Sequence, residues 1–247
     1  MPIVAADLVP YASASMPDDD VSASGGVVDL TRKVDFTPMA ADDTITAVSD
    51  NVGDTQNLTI EARDTAGAVV SETKALAGTT GIDFTVLGTV ERVLKAELAS
   101  AAVGNITVAR GLAAGPGPTI RVIDAADFGF VRMFRKSASE SAATTRFEKF
   151  FWKNEHASLS LDAAHVDQSA DPAAVITHAL DATKDAGTSV ANRKTSPGFT
   201  FDDTDKSVPT NFLGAGEEIG TWLQLSLVAD NAAIKDTYTS ELEGTTV

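Results

Sequence analysis

Leu58-Thr-Ile-Glu-Ala-Arg-Asp64-Thr-Ala-Gly67-Ala-Val-Val-Ser-Glu-Thr-Lys-Ala-Leu76 is the stretch on which the fold class turns. Leu58, Ile60 and Ala62 alternate with Thr59, Glu61 and Arg63, the period-two pattern of a strand with one buried face. Asp64-Thr-Ala-Gly67 supplies a turn, because an Asp carboxylate accepts from backbone N–H groups just ahead of it and Gly tolerates positive φ. A second extended run, Ala68 to Leu76, completes a β-hairpin.

Outward from this hairpin the texture persists. Runs at Asp83 to Leu87, Val90 to Leu98 and Ile106 to Val108 are punctuated by Ala77-Gly-Thr-Thr-Gly81, Gly88 and Gly104, the spacing of short antiparallel strands. The run Val90 to Leu98 has a helical rival, but its alternation lasts seven residues and predicts a strand. Gly111-Leu-Ala-Ala-Gly-Pro-Gly-Pro118 reads as a linker, since its glycines and prolines neither fill a core nor continue a ladder. Beyond it, strands are expected at Thr119 to Ile123, Phe147 to Lys153, Leu159 to Leu161, Val175 to Leu180 and Phe199 to Phe201, and then around Trp222 to Leu227 and Tyr238 to Leu242. A short helix is an open reading for Asp124 to Lys136, where Phe128, Val131 and Phe134 recur near every third position.

The first 54 residues hold ten acidic and two basic residues, Arg32 and Lys33, and read as an extended N-terminal arm with one strand around Val27 to Phe36. The expected organisation is all-β: an arm over 1–54, a first β domain over 55–114 that can recruit strands from 20–54, and a second β-sandwich over 115–247. Strands joined by Asn, Asp, Gly and Pro turns at about ten-residue spacing point to sandwich packing.

Composition narrows function. Of 247 residues, 43% are hydrophobic and 22% charged, ordinary for a globular chain. The formal charge of −16 opposes binding to nucleic acid or to an anionic membrane surface. No cysteine is present, which excludes disulfides, thiolate metal sites and cysteine nucleophiles. The opening Met1 to Asp7 lacks the basic start and apolar run of a signal peptide, so synthesis in a cytoplasm is expected.

No catalytic residue is assigned. His156, His165 and His178 stand in no metal-ligand spacing, Gly115-Pro-Gly117 and Gly214-Ala-Gly216 match no phosphate-binding pattern, and no GxSxG elbow occurs. No cofactor or metal is expected. The acidic run Asp202-Asp-Thr-Asp205 invites calcium, yet EF-hand spacing would need Gly and Glu where Ser207 and Leu213 stand; a calcium loop and a solvated loop both stay open. From Phe128 to Lys153 the acidic trend reverses. Arg132, Arg135, Lys136, Arg146, Lys149 and Lys153 are interleaved with aromatics including Phe147, Phe150, Phe151 and Trp152. These six cations and Trp152 are the candidate partner interface: a core strand with a basic outer face that meets an acidic partner or another copy of the chain.

The order of several segments resembles structural proteins of tailed bacteriophages: the hairpin Leu58 to Thr80, then Val90-Glu-Arg-Val93 and Gly104-Asn-Ile-Thr-Val108. Phe147 to Asn154, Ser169-Ala-Asp-Pro172, Pro197-Gly-Phe-Thr-Phe201, Gly214 to Leu225 and Asp236-Thr-Tyr238 continue the likeness. The resemblance covers roughly residues 55 to 245 and leaves the first 54 unmatched. It implies immunoglobulin-like sandwiches, a homotrimer, the major capsid protein as partner, and a virion component that decorates or cements the head, with a neck or tail part as the alternative. From another class, a secreted carbohydrate-binding or adhesive module would use Trp152 or Trp222 to stack on sugars.

Overall fold

A computed structural model describes residues 2–135, 140–231 and 237–247. The chain is nearly all β, and its helical elements among the described residues are two single 3₁₀ turns. It divides into two units: a central one, Leu30–Lys136, and a discontinuous one made of Met1–Asp29 and Ser137–Val247. The strands, in chain order, are β1 (Leu8–Ser15) and β2 (Ser24–Lys33), followed by β3 (Ile45–Ser49), β4 (Asn57–Asp64), β5 (Val69–Ala75), β6 (Ile82–Asp83), β7 (Val90–Leu98), β8 (Ile106–Leu112), β9 (Gly115–Ile123) and β10 (Gly129–Val131). After these come β11 (Thr144–Asn154), β12 (Leu161–Ala170), β13 (Ile176–Leu180), β14 (Ser189–Val190), β15 (Lys206–Ser207), β16 (Phe212–Leu213), β17 (Glu218–Leu227) and β18 (Thr239–Thr246).

In the central unit β10, β7, β4 and β5 lie side by side, with the end of β2 paired in parallel to β10 through Arg32 and Lys33. A second sheet runs β6-β3-β8-β9. Ile45, Ala47, Ile106, Val108 and Ile123 from this sheet share one core with Leu58, Ile60, Ala62, Val90, Val93, Ala96 and Phe130 from the other. The β4–β5 hairpin forms where the alternation placed it. The Asp64 carboxylate accepts from the N–H groups of Ala66 and Ala68, and Gly67 takes φ +83°.

Two expectations for the central unit are corrected here. Gly115 to Pro118 is no linker: it opens β9, with Pro116 opposite Gly111 and Gly115 opposite Leu112. Proline is tolerated there because β9 is the edge strand, where a missing N–H breaks no inner ladder. Over 124–135 the helix allowed for Asp124 to Lys136 is replaced by turns and β10, and Phe134 adopts φ +50°. Near-threefold spacing arose from a short buried strand followed by a reversal.

In the discontinuous unit one sheet runs β13-β17-β11-β1-β2, with β14 on β2. The other is centred on β12, which pairs β15, β16 and β18. Leu161, Val166, Val208, Leu213, Ile219 and Leu242 form a core between them, with Leu8, Trp152 and Leu180 packed against it. The supposed arm is therefore woven in: β1 lies against β11 from Leu8 opposite Asn154 to Ala12 opposite Phe150, and Tyr11 and Ala12 are buried. Phe199 to Phe201 forms no strand; its rings pack beside Phe147, Val190 and Trp222.

One close approach fixes the central unit. Gly129 has φ +152°, and a Cβ there would lie 1.9 Å from the Ala96 carbonyl oxygen. Gly129→Ala should therefore lower the unfolding free energy by about 1–3 kcal/mol in urea titration, as overpacking does; an unchanged midpoint would contradict this packing.

Candidate functional site

The sequence-selected cations divide between the two units. In the central unit Arg132 lies over the Phe36 ring, 4.1 Å from its centroid, and its Nε donates to the Val93 carbonyl at 3.4 Å. Burial, with the nearby Arg92 charge, pushes its pKa down to about 9. Arg135 Nε sits 3.4 Å from Glu61 Oε1. Lys136 lies outside the described residues.

In the discontinuous unit β11 is an interior strand, and residues Arg146 to Phe151 along it are all buried. Its cations are consequently partnered within the unit. Arg146 grips Asp20 with two hydrogen bonds, Nε to Oδ1 at 3.0 Å and Nη2 to Oδ2 at 3.1 Å, and meets Glu140 at 2.6 Å. Arg193 Nε reaches Asp20 Oδ1 at 2.6 Å, and Lys194 Nζ reaches its Oδ2 at 2.7 Å. The Arg146 guanidinium, outweighing burial and joined by Lys194 and Arg193, holds the Asp20 carboxyl far below the usual carboxylate range. Lys149 Nζ contacts Asp181 Oδ2 at 2.5 Å, with neither side chain exposed. Lys153 Nζ pairs with Glu218 at 2.9 Å and donates to the Gly216 carbonyl at 2.7 Å.

Arg146 and Lys149 therefore offer no basic outer face. A strand covered on both sides can hold cations only by pairing them, and the acidic residues that read as an arm supply one of the partners. The aromatics are equally committed. Trp222 is fully buried and presents no ring face to a sugar, while half-buried Trp152 donates from Nε1 to Ser240 Oγ at 3.2 Å.

Other acidic and histidine residues are held apart. Asp202 Oδ1 accepts from the Thr204 N–H at 2.9 Å and pairs with Lys206. An open cleft of about 440 Å³ beside this loop is lined by Leu180, Phe199, Asp205 and Lys206. His156 Nδ1 accepts from the backbone N–H groups of Ser158 and Leu159; His165 lies 3.5 Å from Glu243; His178 is buried, which lowers its pKa despite its contact with the Val166 carbonyl. Among the described residues no three His, Asp or Glu side chains converge as a metal would require. No described helix is long and apolar enough to cross a membrane.

Two carboxylates escaped sequence reasoning. Asp54, counted in the arm, is fully buried under the loop tips of the central unit. Its oxygens accept from Ser49 Oγ at 2.6 Å, Gln56 Nε2 at 2.9 Å and the N–H groups of Val103 and Gly104 at 2.8 and 2.9 Å. Burial opposes ionisation there, but these donors win and hold the pKa at about 2. Asp181 follows an apolar strand with no motif around it, so nothing in the sequence marked it.

No family model matches the chain, and neither a curated protein nor a solved structure matches it.

Asp20 and Asp54 both have lowered folded pKa values. Their stabilisation is complete above the unfolded value near 4 and lost as pH falls through the folded one. Asp20→Ala should cost about 1–3 kcal/mol in urea titration at neutral pH, because it removes the carboxylate that Arg146 and Arg193 share and leaves them only Glu140 and Glu148. The variant should also lose less stability than the parent between about pH 4 and pH 2. Asp54→Ala should cost about 3 kcal/mol by leaving two loop N–H groups unpaired. Stability unchanged in either variant would contradict these assignments.

Proposed function

We propose that the chain is a structural, non-enzymatic component of a tailed-bacteriophage virion, a decoration or cement protein on the outer surface of the major capsid protein lattice. In this reading its two units are immunoglobulin-like sandwiches, the working form is a homotrimer, and the protein ends on the capsid surface after synthesis in the host. The order in which the sequence segments between Leu58 and Tyr238 follow one another supports the virion class. The observation that carries the reading is how the charged interior is used: Arg146, Lys149, Lys153 and Arg193 are each committed to a carboxylate of the same unit. Such side-chain chemistry serves rigidity, which suits a protein whose work is to resist deformation.

Charge is consistent with this. Internal pairs cancel, so the net −16 resides on side chains outside them, and such a surface stays soluble at high copy number while repelling nucleic acid. The reading commits no cofactor and no membrane.

Purified protein mixed with undecorated heads of the encoding phage should bind at micromolar concentration, appear as regular protrusions in particle images, and raise the temperature at which heads rupture. Absence of binding, or labelling confined to the neck or tail, would overturn the decoration role.

A further inference from the structure

Lys149 and Asp181 are fully buried in the discontinuous unit, Nζ and Oδ2 lying 2.5 Å apart. The Phe151 ring centroid is 4.3 Å from Nζ and the Trp222 ring 5.8 Å. Burial lowers the lysine's pKa against the opposing pull of Asp181. Two buried charges carry a desolvation cost that their mutual attraction must offset. Conversion of the pair to a neutral group removes that cost.

Placement of the pair is tightly determined. Lys149 stands opposite Trp222 in the β11–β17 ladder, and Asp181 is fixed beside them by its N–H, which donates to the Gly220 carbonyl at 2.8 Å. Gly220 leaves the space in which they meet: a Cβ there would lie 2.1 Å from Asp181 Oδ2 and 2.4 Å from Lys149 Cε. The other carboxylate oxygen, Oδ1, accepts from Trp222 Nε1 at 3.1 Å.

We propose that Lys149 and Asp181 join in an intramolecular amide bond, Nζ to Cγ, that crosslinks the middle of β11 to the segment following β13. The pair contains every atom the reaction needs. A proton passes from the ammonium to Oδ2, the freed lone pair attacks Cγ, and the Cγ–Oδ2 bond breaks. Oδ2 departs with two of the three ammonium protons as water. The third stays on the amide nitrogen, which donates it in a hydrogen bond to the Ala186 carbonyl, 2.6 Å from Nζ. Negative charge in the tetrahedral intermediate falls on Oδ1, and the Trp222 N–H already points there, the arrangement that lowers the barrier to acyl transfer. Holding nucleophile and electrophile in contact supplies the rest, because a fixed pair reacts as though at very high concentration. Neither oxidant nor cofactor takes part.

The crosslink does not depend on the virion reading. Its test is the intact mass of the purified, unmodified full chain, which should be one water lighter than the sequence requires after allowance for the initiator methionine. Trypsin should then fail to cut after Lys149 and should leave the peptide 147–153 joined to the peptide 154–184. Asp181→Ala should restore the full mass and separate the peptides. A parent chain of full mass that is cut after Lys149 would overturn the proposal, as would loss of water persisting in Asp181→Ala.

Discussion

A strand covered on both faces can carry a cation only where an opposite charge has been built beside it, and β11 carries three. Arg146 meets Asp20 and Glu140, Lys149 meets Asp181, and Lys153 meets Glu218. Those carboxylates come from the β1–β2 connection, the approach to β11, the end of β13 and the start of β17. Satisfying one strand therefore fixes the placement of most of the discontinuous unit. A one-residue slip of β17 against β11 would turn Trp222, Gly220 and Glu218 to the wrong face and leave buried ammonium groups without partners, so the pairs also specify register.

The same requirement explains what the sequence disclosed and what it concealed. The hairpin Leu58 to Leu76 was legible because burial on one face writes itself as alternation and its turn needs Asp and Gly. Val90 to Leu98 was legible for the same reason. β11 was misread: clustered cations and aromatics look like an outward binding face when the strand is assumed to have one solvated side, whereas burial on both sides turns the pattern into a demand for internal anions. Asp20 answers that demand, yet within Asp18-Asp-Asp20 it looks like part of a solvated run. Asp181 had no local signature, since its role depends on a partner brought in by strand pairing. The Gly-Pro run at 115–118 marked an edge strand; local composition cannot distinguish an edge from a linker.

Functional reading follows from where charge is placed. Cations withdrawn into pairs leave an acidic exterior, and the loops of the central unit are pinned by Asp54. The first feature favours solubility and the second holds the loops of the central unit together. The proposed role on a capsid lattice draws on such internal pairing, and the proposed covalent Lys149–Asp181 link would extend the same principle from electrostatics to a bond.

The central claim is that the cations of β11 are partnered inside their own unit, with Arg146 held by Asp20 of the acidic segment. A double-mutant cycle with Asp20→Ala, Arg146→Ala and the pair, read by urea denaturation at neutral pH, tests it most directly. A coupling of about 1–3 kcal/mol is the expected result for a two-point contact between a buried guanidinium and a half-buried carboxylate. Losses that add to within about 0.3 kcal/mol would contradict it.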